Sequence, residues 1–100
     1  MTENISIDRE KIASFCERHH IIKLSLFGSI LTDQFHPDSD VDVLVRYESG
    51  AVVGFRIIDM EEELSALFGG RSVDIVSEKY LNHRLRDRIL AEAEVQYAQG

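Results

Sequence analysis

The spacing of apolar residues changes repeatedly along this chain, and that alternation constrains the fold more than any other feature. Helical spacing, with apolar residues every three or four positions, covers 8–19, 54–68 and 79–98. Alternation typical of strands, or a short apolar run, covers 21–27, 40–46 and 72–77. Residues 29–35 favour a short helix or turn. The order α-β-(α)-β-α-β-α predicts a small α/β fold, with helices packed on a short mixed sheet of three strands or slightly more.

Length and composition fit one domain over 1–100. The chain has 100 residues, of which 44% are hydrophobic and 29% charged, and this size can bury one core without metal or disulfides. The longest apolar run has three residues, so we expect no transmembrane helix, and the first residues show no secretory signal. The single cysteine, Cys16, has no partner within the chain, which favours the cytoplasm.

The charge balance argues against general binding to nucleic acids. The chain carries 11 Lys and Arg against 18 Asp and Glu, a formal net charge of −7. Nucleic-acid binding favours clustered basic side chains instead. The segment 29–45 contains four aspartates and no Lys or Arg, whereas 78–88 is weakly basic. The acidic segment is therefore where we look for chemistry.

Two aspartates in the second predicted strand are the first candidate site residues. Asp40 and Asp42 flank Val41, so they share one face of the strand with their Cα atoms about 6.5–7 Å apart. Two carboxylates at this distance repel each other. A hard divalent cation such as Mg²⁺ would offset that repulsion and prefers carboxylate oxygens.

A glycine–serine pair precedes these aspartates by ten residues. Gly28 and Ser29 lie where a strand turns into a helix, and free N–H groups at such a turn suit a phosphate. A third carboxylate, Asp74, lies in the third predicted strand between Val73 and Ile75, as Asp42 lies between two valines. Three carboxylates beside a phosphate-binding turn favour phosphoryl or nucleotidyl transfer with two metal ions.

This pattern, a glycine–serine pair, ten residues, Asp-x-Asp and a later strand aspartate, resembles the DNA polymerase β-like nucleotidyltransferases. Over 24–97, and in the ending at 80–93, the chain resembles their minimal nucleotidyltransferase (MNT) group. The resemblance implies the small nucleotidyltransferase fold. It also implies that Gly28 and Ser29 contact the triphosphate of ATP, that Asp40 and Asp42 bind two Mg²⁺ ions, and that Asp74 is a third metal ligand or the general base.

The resemblance further implies a partner. MNT proteins pair with HEPN ribonuclease toxins, so the chain would be the antitoxin of a type VII-like module and form a hetero-oligomer with the toxin. It would transfer AMP from ATP to a toxin hydroxyl, typically of a tyrosine. Many relatives carry arginine where this chain has Ile30 and Thr32. Two alternatives therefore stay open: an antitoxin that acts by binding alone, and a small-molecule nucleotidyltransferase that needs a partner subunit.

Other polar residues have simpler interpretations. We expect the three consecutive glutamates of 61–63 to form a solvated helix face, and Cys16 to lie in the core. We expect His19 and His20, which end a predicted helix, to be capping or surface residues and not metal ligands.

Overall fold

The structure, a computed structural model, describes residues 7–32, 39–51 and 54–99. Its strands are β1 (Ile21–Phe27), β2 (Val41–Tyr47), β3 (Val73–Ser77) and β4 (Glu94–Ala98). Its α-helices are α1 (Arg9–Arg18), α2 (Arg56–Leu67) and α3 (His83–Glu92), and two short 3₁₀ helices span Gly28–Leu31 and Glu78–Tyr80. Within the described ranges, no helix has the length and apolar character needed to cross a membrane.

The strands form one mixed sheet in the order β3-β2-β1-β4. β1 pairs antiparallel with both β2 and β4, whereas β2 and β3 are parallel. The parallel pair needs a crossover connection, and α2 lies within it. The predicted α/β class and short mixed sheet are therefore confirmed, with four strands.

One apolar core joins α1 and α2 to the sheet. From the helices it takes Ile12, Phe15, Cys16, Met60 and Leu64, and from β1 and β2 it takes Leu24, Leu26, Val41, Val43 and Val45. Successive residues of a strand point to opposite faces. Since Val41 and Val43 point into this core, Asp42 points to the other face of the sheet.

The predicted N-terminus of α1 is confirmed at Asp8. The Asp8 carboxylate accepts hydrogen bonds from the backbone N–H groups of Glu10 and Lys11, at 3.1 and 3.2 Å. It thereby satisfies two of the N–H groups that the first turn of a helix leaves without intrahelical partners. This cap fixes the start of α1, whose buried Phe15 and Cys16 then meet the core.

The prediction of one helix over 79–98 is wrong at both ends. Asn82 caps α3 by accepting from the N–H of Arg84 at 2.9 Å, and α3 ends at Glu92. Ala93 turns the backbone into an extended conformation, and β4 follows. The strand pairs with β1 from Lys23 to Leu26, so it supplies hydrogen-bond partners to an edge of β1 that would otherwise have none.

The expectation of a solvated glutamate face holds only for Glu62, which is exposed. Glu63 accepts a hydrogen bond from Nε2 of His19 at 2.9 Å and forms an ion pair with Arg18. Burial raises the pKa of Glu63, but the hydrogen bonds from Arg18 and His19 outweigh it and lower that pKa overall. Glu61 is half-buried and bonds to β3. The three glutamates therefore have three different environments.

Candidate functional site

The predicted site residues meet at one end of neighbouring strands. Because β1 runs antiparallel to β2, the end of β1 lies beside the beginning of β2, and Phe27 pairs with Asp42. β3 is parallel to β2, and Asp42 pairs with Asp74. Asp42 therefore lies between the turn that begins at Gly28 and the strand that carries Asp74. The strand register brings together residues that are up to 46 positions apart in the sequence.

Gly28 lies directly against the Asp42 carboxylate. A methyl group at Gly28 would overlap Oδ2 of Asp42 and come within 3.2 Å of its Cγ. The backbone of Gly28 also has φ of +82°, a conformation that glycine adopts readily and other residues rarely do. Both facts favour glycine here, because a side chain would strain the backbone and displace the carboxylate.

The turn after Gly28 is held from two sides. Ser29 is half-buried, and its carbonyl accepts hydrogen bonds from the N–H and Oγ1 of Thr32, at 2.9 and 2.8 Å. Ile30 is fully buried and belongs to the apolar core. The short helix expected over 29–35 is a 3₁₀ helix over Gly28–Leu31, and the rest of that prediction, 33–35, lies outside the described residues.

Like charges surround Asp42. Burial, followed by the negative charges of Asp74 and Asp40, raises the pKa of Asp42 above its usual value. Asp40 and Asp74 are both exposed, and Asp40 immediately precedes β2, one residue before the strand begins. The site thus concentrates negative charge around Asp42.

This arrangement fits a cation that arrives with a phosphate-bearing substrate. Within the described ranges, no three His, Cys, Asp or Glu side chains gather into a ready-made metal site. Mg²⁺ in enzymes commonly takes only one or two carboxylates and completes its coordination with water and substrate phosphates. Asp42 and Asp74, paired on neighbouring strands, match that donor set.

Sequence reasoning missed Glu61, which reaches the backbone of β3 next to Asp74. The N–H of Ile75 donates to Oε2 of Glu61 at 3.0 Å. One signal was present in the sequence: Glu61 follows Ile57 by four positions and precedes Leu64 by three, so it lies on the core-facing stripe of α2. A carboxylate on such a stripe needs a polar partner.

A cavity of about 1050 Å³ lies at the other ends of β2 and β3. Its lining includes Arg46, Tyr47, Ser77 and Tyr80, and none of the predicted site residues. The predicted site therefore does not coincide with this cavity. It is identified instead by its clustered carboxylates and by the close contact of Gly28 with Asp42.

Two proteins of known sequence are similar to this chain over most of its length. A Methanocaldococcus jannaschii protein described as a candidate protein adenylyltransferase is 30% identical over 90 residues, which cover 90% of this chain and 95% of that protein. The protein adenylyltransferase MntA of Thermococcus cleftensis is 36% identical over 76 residues, which cover 76% of this chain and 75% of MntA.

Solved structures share the fold. A candidate minimal nucleotidyltransferase superimposes with a TM-score of 0.71 at 40% identity, covering 85% of both chains. A complex of tri-AMPylated Shewanella oneidensis HEPN toxin with MNT antitoxin gives a TM-score of 0.64 at 15% identity, covering 91% of this chain and 70% of that one. The sequence model of the family described as polymerase beta, nucleotidyltransferase matches residues 10–99. The chain therefore belongs to the polymerase β nucleotidyltransferase family and has the minimal nucleotidyltransferase fold.

Proposed function

We propose that this nucleotidyltransferase is a metal-dependent antitoxin that transfers AMP from ATP to a hydroxyl, typically of a tyrosine, on a HEPN ribonuclease toxin in the cytoplasm. The observation that carries the proposal is the position of Asp42, with Gly28 against its carboxylate and Asp74 beside it on the next strand. Support also comes from the relatives named as protein adenylyltransferases and from the shared fold of the MNT antitoxin in complex with an AMPylated HEPN toxin.

In the proposed reaction, the chain's own residues bind and orient the triphosphate. Gly28 lets the backbone of the turn approach the phosphates closely, and the Ser29 hydroxyl donates a hydrogen bond to a phosphate oxygen. The buried Ile30 side chain and the Thr32 bonds to the Ser29 carbonyl keep that turn rigid. A rigid turn holds the α-phosphorus in line with the attacking hydroxyl.

The carboxylates have separate roles in this proposal. Asp42 and Asp40 would bind Mg²⁺ together with the triphosphate, and Asp74, the third ligand, would accept the proton of the attacking toxin hydroxyl. When bound, Mg²⁺ supplies charge neutralisation on the phosphates and lowers the pKa of the incoming hydroxyl. The oxygen of the hydroxyl then bonds to the α-phosphorus, the bond to pyrophosphate breaks, and the proton leaves with Asp74.

A second candidate function, neutralisation by binding alone, is favoured by the turn itself. Position 30 carries an apolar side chain that is wholly buried, and position 32 carries a threonine. Neither position supplies a cationic side chain to a triphosphate or to a partner. An antitoxin of this kind would block the toxin by forming a complex with it at equal concentration.

Substoichiometric neutralisation separates the two functions. Ribonuclease activity of the proposed HEPN toxin is measured after incubation with ATP, Mg²⁺ and the antitoxin at about one-tenth of the toxin's molar concentration, a ratio at which full neutralisation requires turnover. We expect the wild-type chain and the exposed control variant Asp59→Asn to silence the toxin, and Asp42→Asn to fail. Neutralisation only at equal concentration, unchanged in Asp42→Asn, would refute the transfer function and support binding alone.

A further inference from the structure

A hydrogen bond from β3 to α2 joins a glutamate to the strand that carries Asp74. The N–H of Ile75 donates to Oε2 of Glu61 at 3.0 Å, with Ile75 buried and Glu61 half-buried. Exclusion of water makes such a bond stronger than an exposed one. The contact crosses from the helix to the sheet, so it fixes the two elements relative to each other.

The bond lies on the side of β3 that does not face β2. The carbonyl of Ser72 accepts from the N–H of Val41 on β2, and the backbone groups of successive strand residues point to alternate sides. The N–H of Ile75 therefore points away from β2. Since β3 ends the strand order, no described strand pairs with that side, and Glu61 takes the place of a strand partner.

The same bond fixes the backbone of Asp74. The nitrogen of Ile75 and the Cα of Asp74 belong to one planar peptide unit, so holding the N–H holds that plane. Asp74 is exposed, and the described part of the structure gives its carboxylate no hydrogen bond. Its position opposite Asp42 therefore depends on the backbone beneath it.

We propose that Glu61 is a positioning residue for Asp74: its carboxylate holds the Asp74–Ile75 peptide so that the Asp74 carboxylate stays beside Asp42. The role of Asp74 in transfer rests on the proposed function, but the positioning itself does not. An ionised carboxylate makes a shorter and stronger bond to N–H than a neutral acceptor does, which favours glutamate at this place.

The two neighbouring glutamates allow a controlled test. Glu61→Met keeps the side-chain length and suits the apolar stripe of α2, but removes the acceptor. Glu61→Gln keeps an oxygen acceptor of the same reach without the charge. Glu62→Met makes the same change one residue away on the exposed face. All variants are first checked for wild-type circular dichroism and cooperative unfolding.

The first readouts are amide exchange at Ile75 and steady-state transfer kinetics. We expect Glu61→Met to speed exchange at Ile75 and to lower kcat about tenfold, with the KM for ATP nearly unchanged. Glu61→Gln should recover most of both properties, and Glu62→Met should match the wild type. A folded Glu61→Met with wild-type exchange and kcat would overturn the inference. So would a Glu61→Gln variant as impaired as Glu61→Met.

Crystal structures of the Glu61 variants keep this inference separate from the proposed function. If the wild-type chain transfers no nucleotide, the proposed function fails. The positioning role of Glu61 is then tested by the distance between the Cα atoms of Asp42 and Asp74. We expect that separation to change in Glu61→Met and to stay at its wild-type value in Glu61→Gln. An unchanged separation in both variants would overturn the inference without reference to any activity.

Discussion

Replacing Gly28 with alanine tests the contact on which the site geometry depends. The new methyl group would overlap the Asp42 carboxylate, and the backbone of Gly28 has φ of +82°. Gly50 provides a matched control, because its φ is +84° and nothing lies within 4 Å of the place a methyl group would take. The two glycines have nearly the same φ, and only a methyl group at Gly28 meets a carboxylate.

The expected losses of stability follow from two costs, the strain of an alanine at positive φ and its overlap with the Asp42 carboxylate. An alanine in the left-handed conformation costs about 1–2 kcal/mol in either variant. Overpacking against Asp42 adds about 1–3 kcal/mol at Gly28 alone. We therefore expect Gly28→Ala to lower the free energy of unfolding by about 2–5 kcal/mol, and Gly50→Ala by about 1–2 kcal/mol. Displacement of the carboxylate by about 1 Å would also lower nucleotide transfer on the order of 100-fold.

Urea denaturation and a transfer assay measure both effects. The free energy of unfolding comes from linear extrapolation, with equal m-values required for the comparison. Transfer is measured well below the unfolding midpoint, so that loss of activity in Gly28→Ala does not reflect unfolded protein. If Gly28→Ala is as stable and as active as Gly50→Ala, the carboxylate does not lie against the turn and the reasoning is refuted.

Two further predictions concern titratable groups. We expect Asp42→Asn to raise the free energy of unfolding near neutral pH, because burial and the charges of Asp74 and Asp40 raise the pKa of Asp42. A raised carboxyl pKa means that the folded state binds more protons than the unfolded state. The Asp42 contribution to wild-type stability should therefore increase as pH falls through that raised pKa towards the usual value, and the advantage of asparagine should shrink. Urea melts in which the difference between the two proteins stays constant or grows would contradict this. Burial, with a smaller effect of the Glu17 charge, raises the pKa of the Cys16 thiol to about 12. Iodoacetamide at about pH 8 should therefore label Cys16 only when the chain is unfolded in urea. Rapid labelling of the native protein would contradict the buried position.

The local parts of the fold could be predicted because their signals lie close together in the sequence. The alternation over 21–27 identifies β1 with its observed bounds, and the helical spacing over 8–19 predicts α1 to within one residue at each end. Asp42 and Asp74 could each be assigned to a strand because each lies between two β-branched residues, which fit a pleated and half-buried surface. That these strands are neighbours comes from the observed register.

The remaining features depend on contacts between distant segments. Glu94 and Ala98 are compatible with continued helix, but β4 forms there because β1 offers an unpaired edge about 70 residues earlier, a tertiary effect that overrides local propensity. The bond from Ile75 to Glu61 likewise spans 14 residues across the crossover. Sequence periodicity marks Glu61 as unusual but does not name its partner.

Intact-mass spectrometry of the toxin tests the central claim most directly. The proposed HEPN toxin partner is incubated with this chain, ATP and Mg²⁺, in parallel with Asp42→Asn and the exposed control Asp59→Asn. The account predicts a mass increase of one or more AMP units with the wild type and with Asp59→Asn, and none with Asp42→Asn. An unmodified toxin in a stable complex with the wild-type chain, or full modification by a folded Asp42→Asn, would contradict it.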